Sequence, residues 1–324
     1  MSKWSIEDVD VEAYGERVGL ARPSGEPSIE ALRRLHRAHV TAIPFENLEP
    51  FVDAAPSLVL GDIATKLVER RRGGYCFEQN LLFAAVLERL GYRVDRLAAR
   101  VRMGRDTASV GPRTHMALRV RVPGVDGAWL ADVGFGAAGP YDPVPLDGED
   151  SRQGPWTYAV RDDEEGLKVL FGRGPGVDGD LYSFTFEPQH HSDYVVANHF
   201  TGAYPRSPFV VDPFLGRIGE HERVTLRGTT LTVHRASGTD ERTIAPAEVV
   251  EMIGDRFGLS LSDEEQRRIR ARLEGRRARS AVERVRETVV DAMVAAHEEA
   301  GMQGLCGEGR FELAVDRGRN VGLV

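Results

Sequence analysis

The chain of 324 residues has only two cysteines, Cys76 and Cys306, far apart in sequence. They form neither a CxxC pair nor a zinc spacing, so a disulfide framework and a structural zinc site are both excluded as organising features, and no metal is expected. No apolar run approaches the roughly 18 residues a membrane-crossing helix needs, so no membrane is expected as a partner. The opening residues lack a basic start followed by an apolar stretch of signal length, and the chain is expected in the cytoplasm, where thiols stay reduced. Lysine is confined to Lys3, Lys66 and Lys168 while arginine abounds, a bias that fits a GC-rich coding sequence. Basic charge is in deficit, 42 Lys and Arg against 50 Asp and Glu for a net charge of −8. That balance argues against nucleic acid as a partner. Internal repeats and a regular βαβ alternation are missing as well, which excludes a doubly wound parallel sheet.

What is present is an ordinary globular composition, 41% hydrophobic and 28% charged. The length suffices for two or three domains with cores that need no staple. Apolar residues at mixed three and four spacings predict helices over 9–18 and 29–40. In the second, His36 and His39 stand beside arginines and read as surface residues. Asp62 is placed to cap a helix through Ile63, Leu67 and Val68 that ends at Gly73-Gly74. A strong helix follows over 78–90. From about residue 93 the period becomes two. Met116, Leu118, Val120 and Val122 form one strand, and residues 129–133 a second, joined by a Pro-Gly turn as a hairpin. Further strands are expected at 156–160, 167–171 and 181–186, then a short helix over 193–200. Three or four more strands fit 209–244, and helices fit 245–257, 262–273 and 279–300. The fold class is therefore α+β: helices, many antiparallel strands, helices.

Cys76 lies in Arg72-Gly73-Gly74-Tyr75-Cys76-Phe77-Glu78-Gln79-Asn80. A thiol at the first turn of a helix meets unpaired N–H groups and the positive end of the helix dipole, which favour a thiolate. The flanking glycines let a reacting group approach the backbone. A nucleophilic thiol needs a base and an orienter. His115 opens the first hairpin strand and Asp132 closes the second, and in an antiparallel pair those ends are neighbours. Cys76, His115 and Asp132 thus form a candidate nucleophile, base and orienter. Taken singly, each also fits a structural role: a buried thiol, a core histidine, a turn aspartate. His190, His191 and His199 flank the 193–200 helix without the ligand set of a metal site. Gly134-Phe135-Gly136 resembles a phosphate loop but lacks its Lys-Ser/Thr ending. Cys306 has no partner base in its segment and reads as a structural or surface thiol.

These motifs resemble those of the arylamine N-acetyltransferases. Residues 72–80 match an RGGxCxExN pattern, Pro44-Phe45-Glu46-Asn47-Leu48 resembles the family's N-terminal motif, and Thr114-His115-Met116 and Asp132-Val133-Gly134-Phe135-Gly136 fit its histidine and aspartate segments. Ser207-Pro208-Phe209 resembles a downstream element near the cofactor cleft. The resemblance spans roughly residues 5–275. It implies an N-terminal helical bundle (1–92), a β-barrel-like middle domain (93–205) and a C-terminal α/β lid (206–278), followed by a helical extension (279–324) outside the family pattern. It also implies ping-pong transfer of acetyl from acetyl-CoA through Cys76 to an aromatic amine, arylhydroxylamine or hydrazine. Phe45, Val101 and Phe135 would line the acceptor pocket, Ser207 and Phe209 would border the coenzyme A cleft, and Arg72 and Glu46 would form a packing pair. The extension either packs on the lid, mediates a homo-oligomer or narrows the cleft. Three alternatives stay open: a macrolactam-forming amide synthase of the same fold, a cysteine hydrolase or transglutaminase relative, and a non-catalytic binding protein.

Overall fold

The computed structural model describes residues 4–20, 26–53, 55–103, 110–187, 189–302 and 307–320. Met1–Ile269 form one compact unit and Arg270–Val324 a second.

The first unit opens with helices α1 (Val11–Val18) and α2 (Ile29–Ala42), capped by Asp10 and Ser28, whose side chains accept the first-turn N–H groups. A two-residue strand β1 (Phe45–Glu46) and short helices α3 (Leu48–Val52) and α4 (Leu60–Ala64) lead to α5 (Cys76–Arg89). Two details differ from the sequence reading. Asp62 lies inside the first turn of α4 and accepts the Ser57 hydroxyl at 2.6 Å instead of capping. The helical run passes through a π-turn at Thr65–Glu69, where it ends, and Arg71, at φ 51°, turns the chain before the glycine pair is reached. Buried Arg17 secures that turn by donating to the carbonyls of Leu67 at 2.9 Å and Ala42 at 2.8 Å. Helix α5 is buried along nearly its whole length, Phe77 through Leu87 included, and forms the spine of the largest apolar cluster.

The middle of the chain is an eight-stranded antiparallel sheet: β2 (Arg93–Val101), β3 (Arg113–Arg121), β4 (Trp129–Ala131), β5 (Val144–Pro145), β6 (Ser151–Gln153), β7 (Trp156–Asp162), β8 (Lys168–Gly174) and β9 (Val177–Phe184). Their order, β5-β4-β3-β2-β9-β8-β7-β6, curls until edge strand β5 also packs against β7, so the sheet is nearly a closed barrel. Inward residues such as Leu97, Leu130, Trp156, Leu170 and Leu181 fill it, as the period-two pattern requires. After α6 (His191–Ala203) and the short α7 (Pro208–Val211) come β10 (Phe214–Ile218), β11 (Glu222–Arg227), β12 (Thr230–Arg235) and β13 (Gly238–Thr243), then α8 (Pro246–Phe257). These four strands extend β1 into a five-stranded sheet, order β1-β10-β11-β12-β13. A two-residue strand from the helical segment thereby joins the sheet that follows the barrel, a pairing too short to leave a sequence signal.

The two helices expected after residue 262 are one, α9 (Asp263–Met302). Gly275 does not adopt the left-handed conformation that ends a helix, and strong helix formers surround it. In the second unit, a further helix α10 (Gly307–Arg319) carries the apolar stretch at 311–315. Cys306 lies outside the described residues. Among the described residues no helix is long and apolar enough to cross a membrane, and no group of three His, Cys, Asp or Glu is placed to hold a metal ion.

Candidate active site

Cys76 is the first residue of α5, 4% exposed, with its sulfur 3.7 Å from the Thr114 carbonyl. The local sequence dictates this placement. Glu78 accepts the Tyr75 backbone N–H at 3.1 Å, fixing the first turn, and its other oxygen takes the Lys66 ammonium at 2.7 Å. Glycine is required where the backbones crowd together. A Cβ on Gly73 would stand 2.3 Å from the Pro44 oxygen, and one on Gly134 would stand 2.7 Å from the Cys76 Cα.

His115, on β3, gives Nε2 to the Asp132 Oδ2 at 2.7 Å. That leaves Nδ1 unbonded on the ring, and the Cys76 thiol is near enough to favour the charged imidazole. Burial works against a charged imidazole, but the Asp132 carboxylate, its hydrogen bond and the thiol outweigh it, and the His115 pKa is raised to about 10. Burial likewise opposes the Asp132 charge, yet His115, Asn80 and the Gly134 N–H hold its carboxyl below the usual range, and with Tyr182 it has three donors besides His115. Those donors are Asn80 Nδ2 at 3.0 Å and the Gly134 N–H at 2.9 Å on Oδ1, with the Tyr182 hydroxyl at 2.8 Å on Oδ2. Asn80 also donates to the Met116 carbonyl at 2.6 Å, tying α5 to the hairpin. Phe135 and Tyr182 pack against the imidazole at ring distances of 4.9 and 4.8 Å.

His36 and His39 are not surface residues; both are fully buried. Each follows a core leucine by four positions, His36 after Leu32 and His39 after Leu35, so helical periodicity turns both inward. His36 accepts the Asp132 backbone N–H on Nε2 at 3.2 Å and gives Nδ1–H to the Tyr141 carbonyl at 3.0 Å. His39 bridges the Tyr14 hydroxyl at 2.9 Å and Gln79 Oε1 at 2.8 Å, and Gln79 then donates to the Gly74 carbonyl at 3.0 Å. Two histidines thus support the site from behind in neutral form. Burial, working against the Gln79 hydrogen bond, drives the His39 pKa from 6.5 to about 3. The unfolded chain therefore binds a proton that the folded chain refuses. The neutral form's contribution is whole above pH 6.5 and lost as pH falls toward about 3. His39→Gln is expected to flatten the acid limb of the stability curve by about 1 kcal/mol per pH unit, measured by urea unfolding between pH 7 and pH 4.5; an unaltered slope would refute the assignment.

Cys76 and His115 open on a cavity of about 300 Å³ that Phe45, Val101, Phe135 and Phe209 also line. All three candidate acceptor-pocket residues and one of the two cleft residues thus share one space. Ser207 does not line it: its hydroxyl donates to the Thr201 carbonyl at 2.5 Å and accepts the Phe209 N–H at 3.3 Å. Arg72 pairs with Glu46 at 2.9 Å, both buried, as the packing reading expects, and Arg72 also reaches Glu265 at the start of α9. The Asn47 amide donates to the Phe209 and Asp212 carbonyls, each at 2.7 Å, which fixes the 44–48 segment against 209–214. Sequence reasoning missed Tyr182, Arg17 and the two buried histidines. Only the inward parity of the histidines on α2 could have flagged any of them.

Known proteins share the fold. Residues 28–266 match a family model described as N-acetyltransferase. The chain is 37% identical over 272 residues to the arylamine N-acetyltransferase of Mycolicibacterium smegmatis, covering 82% of this chain and 97% of that protein. The solved arylamine N-acetyltransferase of Nocardia farcinica superposes with a TM-score of 0.77 at 39% identity, over 84% of this chain and 97% of that one. The Mycobacterium marinum arylamine N-acetyltransferase in complex with CoA gives a TM-score of 0.76 at 36% identity, over 82% of this chain and 98% of that one. Fold and matches define an acyltransferase that delivers its acyl group to nitrogen. Among such enzymes, the chain belongs to the arylamine N-acetyltransferase family.

Proposed function

We propose that the chain catalyses acetyl-CoA-dependent acetylation of aromatic amines, arylhydroxylamines or hydrazines through an acetyl-Cys76 intermediate. The observation that carries this reading is the buried His115–Asp132 pair set against the Cys76 thiol at the mouth of an aromatic-lined cavity. The Cys76 sulfur attacks the thioester carbonyl, the bond from that carbon to the coenzyme sulfur breaks, and coenzyme A leaves as thiol with the proton that His115 received from Cys76. The acetyl carbon changes one sulfur for another, so this half-reaction is nearly thermoneutral. The amine nitrogen then attacks acetyl-Cys76, and His115 takes its proton and returns it to the departing thiolate. First-turn N–H groups of α5, which lack intrahelical acceptors, are placed to hold the developing oxyanion. Phe45, Val101 and Phe135 sandwich the acceptor ring, while Phe209, with the Ser207 turn behind it, borders the coenzyme entry. A cytoplasmic location and a lid role for residues 206–278 belong to the same reading.

Incubation with acetyl-CoA followed by intact-protein mass spectrometry tests it. One acetyl group is expected, on Cys76 in a peptide map, and it should disappear when an aromatic amine or hydrazide is added. A protein untouched by acetyl-CoA would defeat the reading and favour the carrier-protein-dependent amide synthase or the hydrolase.

A further inference from the structure

The cavity that serves Cys76 has a charged wall that acetyl transfer to a simple aromatic amine does not need. It comes from the five-stranded sheet. Phe45 pairs with Gly216, Gly216 with Thr225, and Thr225 with Thr232, so these residues share one face. Thr225 stands two strand spacings from Phe45, about 10 Å across the sheet. Arg223 and Arg227 are two residues either side of Thr225 and point the same way, and His234 is the direct partner of Arg223. Arg223, Thr225, Arg227 and His234 all line the cavity, and none of its lining residues among those described is an aspartate or glutamate. In a chain with net charge −8, two arginines with no acid beside them among the described lining residues go against the overall balance.

Neither arginine of this wall makes an ion pair among the described residues; the acid on the same face, Glu241, lies beyond Thr232, whose hydroxyl donates to it at 3.2 Å. Arg223 is fully buried; its Nη1 donates to the Ala137 carbonyl at 2.9 Å and to the Tyr158 hydroxyl, and its Cζ lies 4.0 Å from the Trp156 ring centroid. Its Nε and Nη2 have no partner among the described residues, and no carboxylate pairs with it. A buried guanidinium without a counter-ion is costly unless an anion supplies one. Arg227 is exposed at the cavity edge and makes no ion pair or side-chain hydrogen bond among the described residues. The His234 Nδ1 is taken by Thr239 at 2.8 Å, which leaves Nε2.

We propose that Arg227 and His234, backed by the buried charge of Arg223, form an anion subsite that takes the carboxylate of an aromatic amine acceptor. This rests on the acetylation reading above. The acceptor ring lies among Phe45, Phe135 and Phe214, its amine faces Cys76, and its carboxylate faces β11. Coenzyme A also carries anions, and the two half-reactions separate the sources.

The experiment compares 4-aminobenzoate with 4-aminobenzamide, the same ring without the charge. Acetyl-Cys76 enzyme is prepared with acetyl-CoA, and its deacetylation by each amine is followed in single turnover. The wild-type protein is expected to favour the carboxylate in rate constant over KM. Arg227→Gln is expected to cut that ratio about tenfold, the loss of one charge-assisted hydrogen bond, through KM rather than the limiting rate. Arg227→Lys should restore part of it. An unchanged ratio in Arg227→Gln, with Cys76 acetylated normally, would overturn the subsite alone. An equal drop in the rate of acetylation by acetyl-CoA would assign the arginine to a coenzyme phosphate and overturn it too. Failure of Cys76 to acetylate in the wild-type protein would instead remove the acetylation reading on which it rests.

Discussion

Cys76→Ala is expected to lower acetyl transfer by at least about 10⁴-fold and to abolish the acetyl adduct, while folding is kept. The expectation follows from what each neighbour can do. His115 and Asp132 can move and hold a proton, but neither is placed to carry an acyl group. Without sulfur at the start of α5, the amine would have to attack acetyl-CoA directly, without the intermediate that divides the reaction. The change removes one buried atom whose hydrogen bond, to the Thr114 carbonyl, is a weak one at 3.7 Å, so the stability cost should be about 1 kcal/mol. Intact mass after acetyl-CoA treatment and steady-state turnover are the measurements. Iodoacetamide labelling adds a third: rapid alkylation of the wild-type protein should vanish in Cys76→Ala and slow in His115→Gln. Residual turnover above a tenth of wild type would rule Cys76 out as the nucleophile.

Asp132→Asn is expected to reduce turnover by about 10⁴-fold, the scale found for the same change in a serine triad. The hydrogen bonds explain how. The carboxylate accepts four donors: Asn80 and Gly134 on Oδ1, His115 and Tyr182 on Oδ2. An asparagine has one oxygen and one NH₂, so two of those donors lose their acceptor. The Gly134 N–H cannot turn away, whereas the Tyr182 hydroxyl can rotate and His115 can shift its proton. The amide therefore puts its oxygen toward Asn80 and Gly134 and its NH₂ toward His115. Nε2 must then accept, and the imidazole proton moves to Nδ1, the nitrogen that faces the thiol and has to receive its proton. The variant should keep its fold at a cost of about 1–3 kcal/mol while losing the base.

Its pH behaviour gives a second readout. In the wild-type protein the folded His115 pKa, about 10, lies above the ordinary 6.5. The pair's contribution is therefore whole below pH 6.5 and lost as pH rises through about 10. Urea unfolding should show stability falling along that alkaline limb in wild type, with a shallower fall in Asp132→Asn. Equal slopes would contradict the charge pairing.

Much of this protein is legible in its residues. The Gly-Gly-Tyr-Cys segment before a helix, a histidine opening one hairpin strand and an aspartate closing the next mark the candidate reacting groups, because helix starts and hairpin ends are local features. Barrel strands announce themselves by alternation, and the Arg72–Glu46 pair follows from the motifs that contain it. Residues far apart in sequence are a different matter. Tyr182 belongs to a strand 50 positions beyond Asp132, and its inward hydroxyl looks like any aromatic in an alternating strand. His36 and His39 were obscured by neighbouring arginines, since charge close in sequence says nothing about the opposite face of a helix. The wall carried by β11 belongs to the same sheet as the two-residue strand at Phe45, which pairs with β10, and so short a strand has no period to read.

The sequence alone determined the broad order of helices, strands and helices, the candidate nucleophile with its two candidate partners, and the family. Each of those is written in a contiguous stretch of chain and in the local physics of caps, turns and alternation. Only the tertiary structure decided which buried groups stay neutral, which four donors hold Asp132, and that two arginines share the cavity of Cys76. Those outcomes depend on burial and on distances between remote segments, quantities set when the helices, the barrel and the five-stranded sheet pack together.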